Sequence, residues 1–517
     1  MKKCFQFPAI GISAEGRALV LAIDDVLLPF RRGLCYYISR PTVRREPVLL
    51  PSLGNPDAPD SHAVHFYGTV LHERGAFRMW YYACHAGINP DWPPELMPQA
   101  KAWGDGLQVG PLCYAESDDG IHWTKPDLGQ VLFKGTRKSN VLRLPNAEVA
   151  TATVIKDDAD LDPQRRYKMI FNYYDKSPTA TLAEQWAAIR TATSPDGLEW
   201  KAGPRSAVQS FIEHSSFYRH GGLYIVNGQK MGAFCAGEGG SNRGRQGCAH
   251  VSTDFDHWVQ EHVEAFALPE PRNPADRGGG KPYDQVHLGV GAVSCGTVLV
   301  GLYGYWHDAV KFEDITCDQG LVVSNDGLHF REPVKGHVFI AAADSPVTPA
   351  RGKSYNTIIC QAHGILNVGD ETRIYHGRWR NTPYDSDAQA MADYYAEVAL
   401  ATLPRDRWGA LGLTPGVEEG TAWSAPVTLP PGGCEVLLNA DGVDGMAVEV
   451  SNERFGLIEG FSGARSGSAV GQGGLECAVK WPGGSLTALG GKTVRLRVHL
   501  CKKSVEPRLY AVYLRSI

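Results

Sequence analysis

Ser117-Asp118-Asp119-Gly120-Ile121-His122-Trp123 returns, barely altered, as Ser194-Pro195-Asp196-Gly197-Leu198-Glu199-Trp200, Ser252-Thr253-Asp254-Phe255-Asp256-His257-Trp258 and Ser324-Asn325-Asp326-Gly327-Leu328-His329-Phe330. The central residues Asp119, Asp196, Asp254 and Asp326 lie 77, 58 and 72 residues apart. That spacing suits a four-stranded unit with variable loops better than a short-period solenoid. In each copy Asp bonds its own backbone, and in three of the four the next residue is Gly, which accepts positive φ. The aromatic residue four positions after the Asp is expected to start a strand and pack between units.

Ahead of each turn runs an aromatic-rich strand: Gly75–Tyr82, Arg166–Phe171, Gly222–Val226, Gly296–Tyr303 and, without a clean turn after it, Gly369–Tyr375. Five such units between about 60 and 410 predict an all-β fold, a five-bladed β-propeller over residues 1–415. The 58 Gly and 33 Pro agree with many short strands joined by turns. Helical periodicity is confined to Thr181–Ala192, whose end reads equally as a strand. After Pro415–Gly420 the repeat stops, and apolar runs such as Cys434–Leu438, Met446–Val450, Thr493–Val498 and Leu509–Leu514 predict a C-terminal β-sandwich over 416–517. The apolar run Ala18–Ile23 is expected to supply an outer strand that closes the ring.

A net charge of −5 argues against nucleic acid or an acidic membrane as partner and for a small or neutral one. No apolar stretch approaches the roughly 20 residues that span a bilayer, and the start has a basic pair without a sustained apolar run, so neither a membrane segment nor a secretory signal is expected. Twelve cysteines, scattered singly and without metal-ligand spacing, read as buried thiols in a reducing cytoplasm. No cofactor or metal is expected. An oligomer is compatible with the sequence.

In a propeller the first strand of each blade lines the central channel. That rule selects Ser61–Gly68, Val149–Val154, Phe211–Tyr218, Pro282–Gly289 and Tyr355–Gly364. Polar groups inside these strands cost free energy unless each meets a partner or a substrate. Glu213, between Phe211, Ile212 and Phe217, is expected to have a raised pKa suited to a general acid. Asp284, beside Gln285 and His287, is the second carboxylate, and two facing carboxylates are the minimal equipment for cleaving a glycosidic bond.

With these residues the chain resembles the five-bladed propeller glycoside hydrolases of the fructosidase and arabinanase type, families 32 and 43. The match is best at Ser117–Gly129 and at Glu213-His214-Ser215-Ser216-Phe217, which occupies the place of that family's Glu-Cys-Pro-Asp acid motif. The resemblance implies an oligosaccharide or glycoside substrate, release of a terminal furanosyl or related unit, and Glu213 as the acid. His65 stands where the family has its nucleophilic Asp, and Ala150-Thr151-Ala152 where it has Arg-Asp-Pro. Asp284 is the favoured replacement as base or nucleophile, with Asp60 as the other.

His65, His287 and His363 are expected to point into the channel, with Gln285, Gln361, Tyr283 and Trp306 as further substrate contacts. Trp80, Trp379 and Tyr355 lie near the same segments. Arg272, Arg277 and Lys281, with Arg243 and Arg245, suit an anionic sugar or phosphate. Two alternatives therefore stand beside hydrolysis: phosphate-dependent cleavage of a glycoside, and a carbohydrate-binding propeller without catalysis.

Overall fold

The computed structural model describes residues 3–103, 109–175, 180–181, 184–185, 187–204, 207–208, 212–230, 245–269, 283–350, 352–383 and 392–517. The fold is all-β. Five antiparallel meanders follow one another along the chain. The first is Ala63–Glu73, Ala76–Cys84 and Leu112–Ser117; the second is Thr151–Lys156, Tyr167–Tyr173, Ala188–Ser194 and Lys201–Ala202. The third is Glu213–His220, Leu223–Lys230, Gln246–Ser252 and Val263–Phe266, and the fourth Asp284–Ser294, Leu299–His307, Thr316–Ser324 and Val338–Ile340. The fifth begins with Thr357–Cys360 and Ile365–Val368, both paired to Glu371–Arg380, and continues into Ala396–Pro404.

The repeated sequence forms the repeated turn. Asp119 Oδ1 accepts the amides of Ile121 and His122 at 2.8 Å each, and Ser117 Oγ accepts that of Gly120 at 2.9 Å. Asp196, Asp254 and Asp326 do the same for their own turns. Each turn carbonyl is then taken by the preceding meander. Trp80 donates to Gly197, Arg165 to Asp254 and Tyr218 to Gly327, while Tyr375 of the fifth meander donates to Gly120 of the first.

First strands are linked in the same order. Val154 N donates to Thr69 Oγ1 (2.8 Å), His214 Nδ1 bonds Thr151 Oγ1 (2.8 Å), Ser216 Oγ donates to Val290 O (2.6 Å) and Gln361 Nε2 to Gly289 O (2.8 Å). Val70 N then donates to His363 O at 3.1 Å, which returns the series from the fifth meander to the first.

One expectation changes. Ala18–Ile23 does not edge the meanders: Arg17–Leu21 pairs with Arg508–Ser516, and the strand that flanks Ala396–Pro404 is Thr42–Val43. An apolar run specifies burial without naming its partner, so this assignment was open to exchange. Ala188–Ser194 is a strand, the second of the two readings of its segment. The strands from Cys4 to Ile38 join those from Gly409 to Ser516 in one 14-stranded system over a core that includes Phe5, Val20, Val436, Val448, Val498 and Leu514. The eleven described cysteines are free thiols, and Cys235 lies outside the described residues. No helix among the described residues is long and apolar enough to cross a membrane.

Candidate functional site

Three of the first strands carry a β-bulge immediately after a histidine: between His65 and Thr69, His214 and Ser216, and His287 and Val290. A bulge bends its strand and re-aims the neighbouring side chains, which is why bulges recur beside sites. At the third, Leu288 has φ +53° and Gly289 φ +70°. A Cβ on Gly289 would lie 2.5 Å from the carbonyl oxygen of Gly228, so glycine is required by contact as well as by conformation.

The bulged ends enclose a cavity of about 220 Å³ whose wall includes His65, Tyr82, Thr151, Tyr174, Glu213, Gln229, Arg245, His287, Trp306, Phe312, Trp379 and Tyr394. Glu213 is the only carboxylate in that wall among the described residues. It is half-buried. Tyr174 donates to its Oε1 at 2.6 Å and Gln229 Nε2 to its Oε2 at 2.5 Å. Gln229 also accepts the Leu288 amide at 2.7 Å, which ties the carboxylate to the bulge of the next meander. Of the expected apolar neighbours, Ile212 and Phe217 belong to a core cluster with Ile170 and Val226, while Phe211 lies outside the described residues.

His65 is 2% exposed and stacks on Tyr82 at 4.8 Å and 4°, with Nε2 hydrogen-bonded to the Tyr394 hydroxyl at 2.5 Å. Burial pulls its pKa down to about 3, and His287 falls well below the ordinary value through burial and the nearby Arg245. Both imidazoles are therefore neutral near pH 7. Arg245 places its guanidinium 4.4 Å above the Trp306 ring, and its buried Nη1 has no hydrogen-bond partner among the described residues. The wall thus combines one carboxylate, one guanidinium, two neutral imidazoles and several aromatic faces.

Of the residues singled out in the sequence, Glu213, His65, His287, Trp306, Trp379 and Arg245 come together here. Asp284 does not line the cavity. Cross-strand partners share a face, so Gln285 and Trp306 lie on one side of the sheet and Asp284 and His307 on the other. Asp284 Oδ1 bonds His307 Nδ1 at 3.0 Å, and His307 Nε2 bonds Asp318 at 2.9 Å. Those two carboxylates raise the His307 pKa to about 9.

Gln285 is engaged with Arg245 N and Asp308, and lies outside the wall. Gln361 is buried beneath it, donating to the carbonyls of His287 and Gly289. His363 lies outside this wall, bonded to Val154 O at 3.1 Å and lining other cavities with His72 and Val293. Tyr283 precedes its strand, half-buried and outside the wall, and Tyr355 bonds Asp393. Asp60 is 1% exposed and committed to Lys125. Arg243, Arg272, Arg277 and Lys281 lie outside the described residues. Tyr82, Tyr174, Gln229 and Tyr394 were not anticipated; all four come from outside the first strands.

No known protein family matches the sequence, and no curated protein matches it. Among solved structures the chain is similar to one described with the GH130 family of mannoside phosphorylases, which contains glycoside hydrolases that target β-1,2-mannosidic linkages in Candida mannan; identity is 15%, coverage 72% of this chain and 95% of that one, and the TM-score 0.42. A glycosyl hydrolase from Bacteroides ovatus gives 14% identity, 72% and 94% coverage and a TM-score of 0.43. A family 117 glycoside hydrolase from the marine bacterium Zobellia galactanivorans gives 11%, 70%, 90% and 0.39.

Proposed function

We propose that the chain cleaves a glycosidic bond, with Glu213 as the acid that protonates the leaving oxygen. In this reading the five meanders are the blades of a propeller, the terminal strands form a sandwich, and the cavity is the mouth of the axial channel. The observation that carries the proposal is the Glu213 carboxylate, half-buried in a wall of aromatic rings and held through both oxygens. Aromatic faces such as Trp306, Trp379 and Phe312 suit the apolar faces of a sugar ring. A space of about 220 Å³ is smaller than the roughly 300–1,000 Å³ typical of drug-sized sites and suits one sugar unit. A terminal unit is the corresponding substrate.

Arg245 favours a second reading. A guanidinium nitrogen in the same wall, without a partner among the described residues, suits an oxyanion, so phosphate in place of water would attack the anomeric carbon. Glu213→Gln tests the common step: turnover of a chromogenic glycoside should fall by two or more orders of magnitude with the fold intact. Wild-type turnover in that variant would remove the assignment. Inorganic phosphate separates the two readings: turnover that depends on its addition gives the second step to phosphate, whereas turnover in phosphate-free buffer gives that step to water.

A further inference from the structure

A carboxyl group acts as an acid only if it stays where the leaving oxygen will be, so the groups that hold its holders matter. Gln229 lies within the ladder, paired with Glu213 on one side and Gly247 on the other. Tyr174 is placed differently: its strand ends at Tyr173, whose pairing with Ala188 is the last rung. The Tyr174 hydroxyl therefore projects from a residue beyond the ladder.

Beyond that rung stands Gln99, on the short α-helix Met97–Trp103 and 8% exposed. Its Nε2 donates to the Tyr174 carbonyl at 3.0 Å and to the Glu148 carbonyl at 3.4 Å, and its Oε1 accepts the Ala147 amide at 3.0 Å. Because one end of the amide meets carbonyls and the other an N–H, its orientation is fixed. One side chain thus joins the helix, the segment that leads into Ala150 and Thr151 of the wall, and the residue that carries the phenol.

We infer that Gln99 is a positioning residue for Glu213, acting through the Tyr174 backbone; this rests on the reading of Glu213 as the acid. An apolar replacement would leave two carbonyls and one amide without their partner and free Tyr174 to move. A displacement of about 1 Å at a reacting group costs up to roughly a hundredfold in rate.

The test uses the full chain and needs no substrate for its first readout. The carboxyl band of Glu213, isolated as the infrared difference between wild type and Glu213→Gln, should shift in Gln99→Leu in the same sense as in Tyr174→Phe. The double variant should shift no further. Gln99→Met serves as a second replacement if Gln99→Leu does not fold. On a chromogenic glycoside panel, kcat should fall about tenfold to a hundredfold while KM stays within about twofold. A band that moves in Tyr174→Phe but stays fixed in a folded Gln99 variant overturns the inference. Failure of the acid reading would appear separately, as wild-type turnover in Glu213→Gln with the band shifts unchanged.

Discussion

The Tyr375 hydroxyl donates to the Gly120 carbonyl across 2.8 Å, joining residues 255 positions apart. With Arg373 Nη1, which donates to the Asp119 carbonyl at 2.5 Å, it is how the last meander holds the turn of the first. Tyr375→Phe removes the shorter of two side-chain donors to that buried carbonyl, leaving Trp123 Nε1 at 3.2 Å, and should cost about 0.5–1 kcal/mol. Gly120→Ala should cost more. Its φ is +74°, and a Cβ there would lie 2.4 Å from the Tyr375 hydroxyl and 2.7 Å from Arg373 Nη1, so roughly 2–3 kcal/mol is expected. Denaturant unfolding of both variants checks the order. Equal stability of Gly120→Ala and wild type would contradict it.

Glu148 gives a pH dependence with a definite sign. It is 3% exposed, its Oε2 has no partner among the described residues, and burial pushes its carboxyl up from the ordinary 4.5 to about 8. A carboxyl raised in the folded state contributes its stability below the unfolded value and loses it as pH rises through about 8. Glu148→Gln removes that loss. The stability difference should therefore move in the variant's favour by on the order of 3 kcal/mol between pH 4 and pH 8. Thermal or urea unfolding across that range measures it, and a pH-independent difference would show that the carboxyl is not held neutral.

The four turns were legible because their chemistry is local: an Asp carboxylate takes two amides within three residues, whatever surrounds it. Glu213 was legible because a carboxylate in an inner strand needs a reason. Asp284 and His287 are three positions apart, and an odd separation on a strand puts two side chains on opposite faces, so grouping them by proximity in sequence overlooked the pleat. His363 shows a second limit. Alternation gives the face of a strand, but which end of the sheet a side chain reaches follows from register, and register depends on the partner strand. Tyr82, Tyr174, Gln229 and Tyr394 reach the wall from second strands and loops, and no spacing in the sequence ties them to Glu213.

Gly289 is where backbone and site can be tested together. It completes the bulge that aims His287 and Leu288 into the wall, and a Cβ there would meet the backbone carbonyl of Gly228 at 2.5 Å. Gly296 has a similar positive φ, +91°, with nothing within 4 Å of the position a Cβ would take. Gly296→Ala therefore carries conformational strain alone, about 1–2 kcal/mol, and leaves turnover unchanged. Gly289→Ala adds a backbone clash that no side-chain rotation relieves, so it should cost a further 1–3 kcal/mol and shift the bulge. Because Gln229 links the Leu288 amide to Glu213, that shift should reach the carboxylate and lower turnover as well. Unfolding and activity measured on the pair separate strain from contact. Equal losses in both variants would mean that the bulge does not set the site.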